Sequence, residues 1–235
     1  MMPLYLCTLI ASVFIPLIFT LVYKDFIRDW KNFFISTSAI AFVFLVWDYY
    51  FTKTGVWEFN PDYCIGMDIF MMPLEEWIFF FAVPFCSLFL HFVLKSSFKN
   101  MFLSLMTTKI VTILIIVFVS LVLRNNLTKD YTAINSMILI TTLVLGLCFH
   151  QKLLQRFYLS FLIILIPFFI VNGILTGYIT EEPVVKYNDL ENLGIRISTI
   201  PVEDVGYAFS LLFGNLMIFE WLKQKKVKQQ NVPVS

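Results

Sequence analysis

Pro73-Leu74-Glu75-Glu76-Trp77-Ile78-Phe79-Phe80-Phe81-Ala82-Val83-Pro84-Phe85-Cys86-Ser87-Leu88-Phe89-Leu90-His91-Phe92-Val93-Leu94 is the stretch that decides the fold. It opens on a proline and two acids and then runs to its end without another Asp, Glu, Lys or Arg. A helix that crosses the hydrocarbon core of a bilayer needs about 20 mostly apolar residues, and this stretch supplies them. Six further segments read the same way: Pro3–Tyr23, Asn32–Phe51, Phe102–Leu123, Thr132–His150, Phe157–Tyr178 and Pro201–Leu222. Composition agrees. Of 235 residues, 59% are hydrophobic and only 14% are charged, against roughly 25% charged in a soluble domain. The 27 phenylalanines would be an aggregation hazard on a wet surface but suit lipid-facing positions. Disorder is excluded by the same figures. A net charge of +1 with no basic stripe before the tail gives a nucleic acid nothing to bind.

The expected fold is therefore an all-α membrane protein of seven transmembrane helices, forming one integral domain over residues 1–235. The first span has no basic leader and no small-residue cleavage pattern, so it is expected to be retained. Short polar connections are expected at Lys24–Lys31, Lys95–Asn100 and Gln151–Arg156, and longer ones at Thr52–Met72 and Ile179–Ile200. Basic residues set the orientation. Lys24, Arg28, Lys31, Lys95, Lys99, Lys109, Lys152, Arg156, Lys223, Lys225, Lys226 and Lys228 gather at one face. Only Lys53, Arg124, Lys129, Lys186 and Arg196 occupy the other. This predicts a multi-pass protein of the cell (inner) membrane with its N-terminus outside and a basic cytoplasmic tail, residues 223–235. All the acids but Asp25, Asp29 and Glu220 then lie at or near the outer face. His91 and His150 read as polar tips at cytoplasmic helix ends. The four cysteines show no C-x-x-C and indicate neither a zinc site nor a disulfide framework.

The chain also repeats itself. Asn60-x5-Gly66-x6-Pro73-x-Glu75-Glu76 is matched by Asn188-x5-Gly194-x6-Pro201-x-Glu203-Asp204 at a constant offset of 128. Upstream, Asp48-x3-Thr52 answers to Asn172-x3-Thr176 at an offset of 124. Two three-helix units are expected, TM1–3 within residues 3–94 and TM5–7 within 131–222, joined by a connecting helix at 102–123. An odd unit plus one helix leaves both copies in the same membrane orientation, a parallel repeat. Pro73 and Pro201 suit the first position of a helix, and the acids behind them suit its first turn. Capping alone explains one such pair. Two copies at the same spacing point to a site.

Adjacent carboxyl groups titrate apart, one able to hold a proton as general acid while its neighbour serves as base. Phe79 and Tyr207 follow Glu75 and Glu203 at i+4, on the same helix face, and aromatic faces attract cations. Acid-initiated rearrangement of an apolar alkene fits this constellation.

The residues that carry it also resemble a family. Trp47-Asp48-x3-Thr52-x2-Gly55-Val56-Trp57-x-Phe59-Asn60-Pro61 and Pro73-Leu74-Glu75-Glu76-Trp77 resemble the first half of the small membrane-integral lycopene cyclases. Asn172-Gly173, Glu181-Glu182-Pro183, Tyr187-Asn188, Leu193-Gly194-Ile195-Arg196 and Thr199-Ile200-Pro201-Val202-Glu203-Asp204 resemble the second. Both halves are present, as in the fused form of these otherwise heterodimeric carotenoid cyclases; Lys186 departs from the family pattern, which has tryptophan there. The resemblance implies cyclisation of the ψ end groups of lycopene to β-ionone rings, giving γ-carotene and then β-carotene, an isomerase reaction without redox change. It implies Glu75 and Glu203 as leading acids with Glu76 and Asp204 as partners. Asp48, Asn60, Asn172 and Asn188 would orient them by hydrogen bonds. Trp57, Trp77, Phe79, Tyr187 and Tyr207 would line the substrate pocket. No metal and no cofactor is expected, since the chain has no G-x-G-x-x-G and only eight glycines. The expected partners are lycopene or a related acyclic carotenoid, the lipid bilayer and other enzymes of the carotenoid pathway.

Two other readings remain at the level of the sequence. Asn188-Asp189-x-Glu191 could ligate Mg²⁺ in a membrane prenyltransferase acting on an isoprenoid diphosphate, and a non-catalytic carotenoid-binding membrane protein would share the same apolar helices. A retinal protein is excluded, because Pro201–Leu222 carries no lysine for a Schiff base.

Overall fold

The computed structural model describes residues 3–20 and 29–230. Seven helices dominate it: α1 (Leu4–Thr20), α2 (Trp30–Thr54), α3 (Leu74–Ser97), α4 (Leu105–Asn125), α5 (Asp130–Phe149), α6 (Gln151–Leu175) and α7 (Glu203–Gln230). Six of them, α2 to α7, are long and apolar enough to cross a membrane, while α1 is a shorter apolar helix of 17 residues. The chain is thus an all-α, multi-pass membrane protein. Part of the expected basic face is not among these residues: Lys24, Asp25, Arg28 and residues 231–235 of the basic tail lie outside those described.

Two long connections carry what little strand there is among the described residues. Between α2 and α3 lie β1 (Trp57–Phe59), a 3₁₀ turn at Pro61–Tyr63, β2 (Asp68–Ile69) and β3 (Met72–Pro73). Between α6 and α7 lie β4 (Val185–Tyr187), β5 (Arg196–Ile197) and β6 (Ile200–Pro201). β2 pairs with β3 and β5 with β6 as small antiparallel hairpins. The third pairing joins the two connections: β1 lies antiparallel to β4 with Trp57 opposite Tyr187, Glu58 opposite Lys186 and Phe59 opposite Val185. Backbone bonds continue the ladder at both ends, from Asn60 N to Val184 O at 2.8 Å and from Asn188 N to Val56 O at 2.9 Å.

The helices interlock across these connections. α1 packs on α3 and α5 on α7, while α2 lies against α7 and α6 against α3. α4 stands at the margin against α5 and α6 and exposes Ile113, Leu114, Val117, Phe118 and Leu121, side chains that lipid tolerates. The buried interior has two parts. One is rich in phenylalanine and includes Phe85, Phe89, Phe157, Phe161, Phe209 and Phe213. The other includes Tyr5, Phe44, Trp47, Phe51, Trp57, Phe79 and Tyr131, beneath the paired strands.

Four expectations are corrected. Gln151–Arg156 is not a connection: α6 begins at Gln151, and the single residue His150 (φ −133°, ψ 36°) separates it from α5. Amphipathic Gln, Lys and Arg side chains can sit on the first turns of a spanning helix by extending toward water, so their polarity did not mark a loop. Pro73 is not the first helical residue but the N-cap of α3, extended at φ −63° and ψ 149°, and Pro201 ends β6 two residues before α7. Each proline closes a hairpin, opposite Asp68 and Arg196 respectively. α2 runs on through Thr54, so Thr52 is helical; Gly55 ends the helix in the left-handed region at φ 75°. His91 is no interfacial tip. It is wholly buried, its ring 5.9 Å from that of Phe157, because α3 continues to Ser97 and leaves it well inside the bundle. Two of the acids set apart from the rest by the sequence have partners: Asp29 pairs with Lys223 at 2.8 Å and Glu220 with Lys95 at 3.1 Å.

Candidate active site

Each long connection ends by turning a hairpin into a helix. Gly66 (φ 85°) and Gly194 (φ 70°) supply left-handed backbone just before the hairpins, a conformation that a Cβ disfavours. The hairpin then returns the chain so that Leu74 N reaches Met67 O at 2.8 Å, and Val202 N reaches Ile195 O at 3.0 Å. The acids of both motifs fall in the first helical turn, as expected.

Within each pair the two acids point to different tasks. Glu75 Oε1 accepts the backbone N–H of Ile65 at 2.6 Å. Glu203 Oε1 does the same for Leu193 at 2.7 Å and also accepts Thr132 Oγ1 at 2.7 Å. These buried carboxyls staple the preceding loop to the helix. Glu76 and Asp204 face a shared cavity instead, which Asp48 joins as a third buried carboxyl. Tyr5 donates its hydroxyl to Glu76 Oε2 at 2.5 Å. Asp204 accepts three donors: Tyr131 on Oδ1, and on Oδ2 both Asn172 Nδ2 at 3.0 Å and Tyr187 at 3.1 Å.

Aromatic rings make the walls. Trp57, Tyr131 and Tyr187 pack on one another, with Trp57 edge-on to Tyr131 at 5.4 Å and Tyr131 stacked on Tyr187 at 5.7 Å. Tyr207 meets Phe44 and Trp47 edge-on at 5.1 and 5.2 Å. Phe79, Val83, Phe168 and Leu211 are among the further apolar lining, and no Lys or Arg of the described residues joins it. The enclosed space is small, about 50 Å³, room for a few waters. Burial, and after it the charge of Asp204, holds the Tyr187 phenol well above its usual value, so Tyr187 remains a donor. Cys64 lies just outside this site. Burial and the neighbouring acids, Glu75 first, push its thiol up to about 12.

Of the residues singled out by sequence, Asp48, Glu76, Asn172, Asp204, Trp57, Phe79, Tyr187 and Tyr207 come together around the cavity. Others do not. Asn60 accepts the N–H of Asp62 and caps the 3₁₀ turn, and Asn188 accepts Leu190 N while donating to Gly55 O at 3.2 Å. Both shape loops, as Asx side chains do in turns, and neither orients an acid. Trp77 leans outward, its Nε1 on Ile69 O at 3.2 Å and its ring 6.1 Å from Phe70. Glu75 and Glu203, the leading acids of the sequence reading, serve the loops while their partners face the cavity. The prenyltransferase motif is also spoken for: Asp189 holds Arg196 at 2.5 Å, and Glu191 Oε2 accepts Asp130 N at 3.0 Å. Tyr5 and Tyr131 were missed. They occupy equivalent places on α1 and α5, but their spacing is 126 rather than 128, which hid them from a search at constant offset.

A family model described as lycopene cyclase matches residues 3–94 and 128–222. No curated protein and no solved structure matches the chain. The matched stretches take in α1, α2, α5 and α6 and all but the last turns of α3 and α7, every helix that contributes to the cavity, and pass over the marginal α4. The chain accordingly belongs to the lycopene cyclase family, membrane-embedded proteins with a carotenoid substrate.

Proposed function

We propose that this carotenoid cyclase converts the ψ end groups of lycopene into β-ionone rings, giving γ-carotene and then β-carotene, with Glu76 and Asp204 as the catalytic pair. The observation that carries the reading is that these two carboxyls, from different helices, open onto one cavity walled by aromatic rings. Three buried carboxyl groups around one small cavity, with no cation in its described lining, cannot all be charged together, so a proton is held among them. Asp204, with three donors on its oxygens, is the better-furnished base; Glu76, with one, is the better acid.

Glu76 gives its proton to the terminal double bond of the end group, leaving a tertiary cation. The next double bond attacks that cation, forming the ring's carbon–carbon bond and moving the charge into the ring. Asp204 then removes a ring proton to leave the β double bond. One proton enters and one leaves, so no electrons are exchanged. The faces of Trp57, Tyr131, Tyr187 and Tyr207 stabilise the intermediate cation and keep water from trapping it as an alcohol. Asn172 and the tyrosine hydroxyls of residues 5, 131 and 187 hold the carboxyls in place. The chemistry calls for no metal or nucleotide cofactor.

The same reading covers the architecture. Seven spans would include α1, in two three-helix units within 3–94 and 131–222 joined by the helix at 102–123, with the N-terminus outside, the tail from residue 223 in the cytoplasm, and the cell (inner) membrane as the location. A parallel repeat is supported by contacts that recur 128 residues on: Ile65 N to Glu75 with Leu193 N to Glu203, Asn60 N to Val184 O with Asn188 N to Val56 O, and the two hairpins. Its axis would pass between Glu58 and Lys186, and it would supply one shared site rather than two.

The test is pigment analysis in cells that accumulate lycopene. The wild-type chain is expected to yield β-carotene, while Glu76→Gln and Asp204→Asn, inserted at wild-type level, leave lycopene. Lycopene alone from the wild type overturns the activity, and full β-carotene from either variant overturns that residue's role.

A further inference from the structure

The acid cavity is far too small for a forty-carbon polyene, so the rest of the substrate needs a place. A second and much larger space adjoins it: an apolar groove of about 630 Å³ between α1, α3 and α6. Val83, Phe168 and Asn172 line both, so Asn172, which holds Asp204, also stands at the junction. From Val83 at the junction the groove runs along α3 to Leu90, about 10 Å further at the helical rise. Cavity and groove together reach from Glu76 to Leu90, 14 residues or about 21 Å. That is some two-thirds of a hydrocarbon core about 30 Å thick. Small side chains, Ala11 and Ser12 of α1 with Cys86 and Ser87 of α3, form its floor.

The opposite side of the molecule lacks this floor. Cys86 and Ile164 border the groove; 128 residues after the first and 124 before the second stand Gly214 and Ile40. There the helices close up, with Ile40 Cδ1 3.0 Å from where a Cβ on Gly214 would lie. Val171 in the groove likewise answers to Trp47, which is packed against Phe44 at 4.6 Å and Tyr207 at 5.2 Å. One flank is open and the other is filled by rings.

We infer that the α1–α3–α6 groove binds the linear polyene chain of the carotenoid, so that the substrate enters from the lipid on this one flank and presents one end group at a time to the acids. The inference rests on the cyclase reading above. A doubly cyclised product therefore requires withdrawal and re-entry with the other end first.

Tryptophan at Ala11 fills the groove without touching the acids. Ile10, 58% exposed and not among the residues that line the groove, is the control. In membranes supplied with lycopene, Ala11→Trp is expected to lower kcat/KM roughly tenfold or more, the scale on which pocket shape discriminates apolar substrates, while Ile10→Trp matches wild type. Ile170→Trp, on the facing wall and 62% exposed, should repeat the loss should Ala11→Trp fail to insert. As a binding measurement, Asp204→Asn purified from lycopene-rich membranes is expected to retain lycopene, and to lose it when Ala11→Trp is added. Wild-type turnover by both groove variants beside an inactive Asp204→Asn overturns the groove and leaves the site reading intact. So does recovery of phospholipid but no carotenoid on Asp204→Asn. Full activity of Asp204→Asn and Glu76→Gln with impaired groove variants overturns the site reading and spares the groove.

Discussion

At the scale of single residues, the site divides labour between acids that are adjacent in sequence. Glu75 and Glu203 anchor loops through backbone N–H groups, and Glu76 and Asp204 meet the cavity. Glu75→Gln should therefore lower the amount of folded protein more than the turnover of what folds, which pigment output normalised to membrane protein will separate. Tyr187→Phe removes one of three donors from Asp204. A hydrogen bond to a charged group is worth about 1.5–3 kcal/mol, so the rate should fall by roughly 10- to 150-fold, with lycopene binding to the variant unchanged. Cys64 gives a pH test. With its thiol raised to about 12, thiolate is scarce at pH 8 and becomes abundant only near that value. Alkylation of Cys64 in a variant lacking the other cysteines should thus be slow at pH 8 and accelerate steadily as pH rises; fast labelling at pH 8 contradicts its environment. The sequence showed which short motifs mattered, since prolines, glycines and paired acids recur at one spacing. It did not show which acid of each pair faces inward, because that depends on where the hairpin directs the first helical turn. Nor did it show Tyr5 and Tyr131, whose helices are slightly offset in register between the halves.

Among the elements, the hairpins before α3 and α7 set the site. Gly66 and Gly194 have positive φ with nothing within 4 Å of a Cβ built on them, so alanine at either meets backbone strain and no clash. That strain amounts to about 1–2 kcal/mol. Gly66→Ala and Gly194→Ala should each lower the unfolding midpoint in detergent by a few degrees and leave the β-carotene to γ-carotene ratio as it is. Helix positions were legible from apolar runs to within a few residues for most spans. Gln151–Arg156 was the exception, since a polar run reads as a loop whether or not the backbone there stays helical. The role of Pro73 and Pro201 was misjudged for a related reason: fixed φ suits a strand end as well as a first turn.

For the whole molecule, the interlocking matters most. α2 packs on α7, α6 on α3, and β1 on β4, so the stretches before and after α4 complete one another's interior. Chains cut between α3 and α4, residues 1–100 and 101–235, should restore cyclisation when made together and give neither pigment conversion nor a stable product when made singly. Activity from either piece alone would contradict a site built from both. Membrane character was plain from composition. The open flank was not, because it depends on a Gly-for-Cys exchange between Gly214 and Cys86 that is silent until the helices are packed.

The β1–β4 pairing has one more consequence, for how much length the loops can vary. From Thr52 to Asn60 is eight residues and from Thr176 to Asn188 twelve, yet Trp57–Phe59 and Val185–Tyr187 meet in full register. The additional residues bulge before β4, around the exposed Glu181 and Glu182, and everything beyond them is clamped by the strand pair and the Glu203 staple. The segment is consequently a natural port for added sequence: a peptide epitope spliced between Glu181 and Glu182 is absorbed where four residues already have been, out of earshot of the chemistry below.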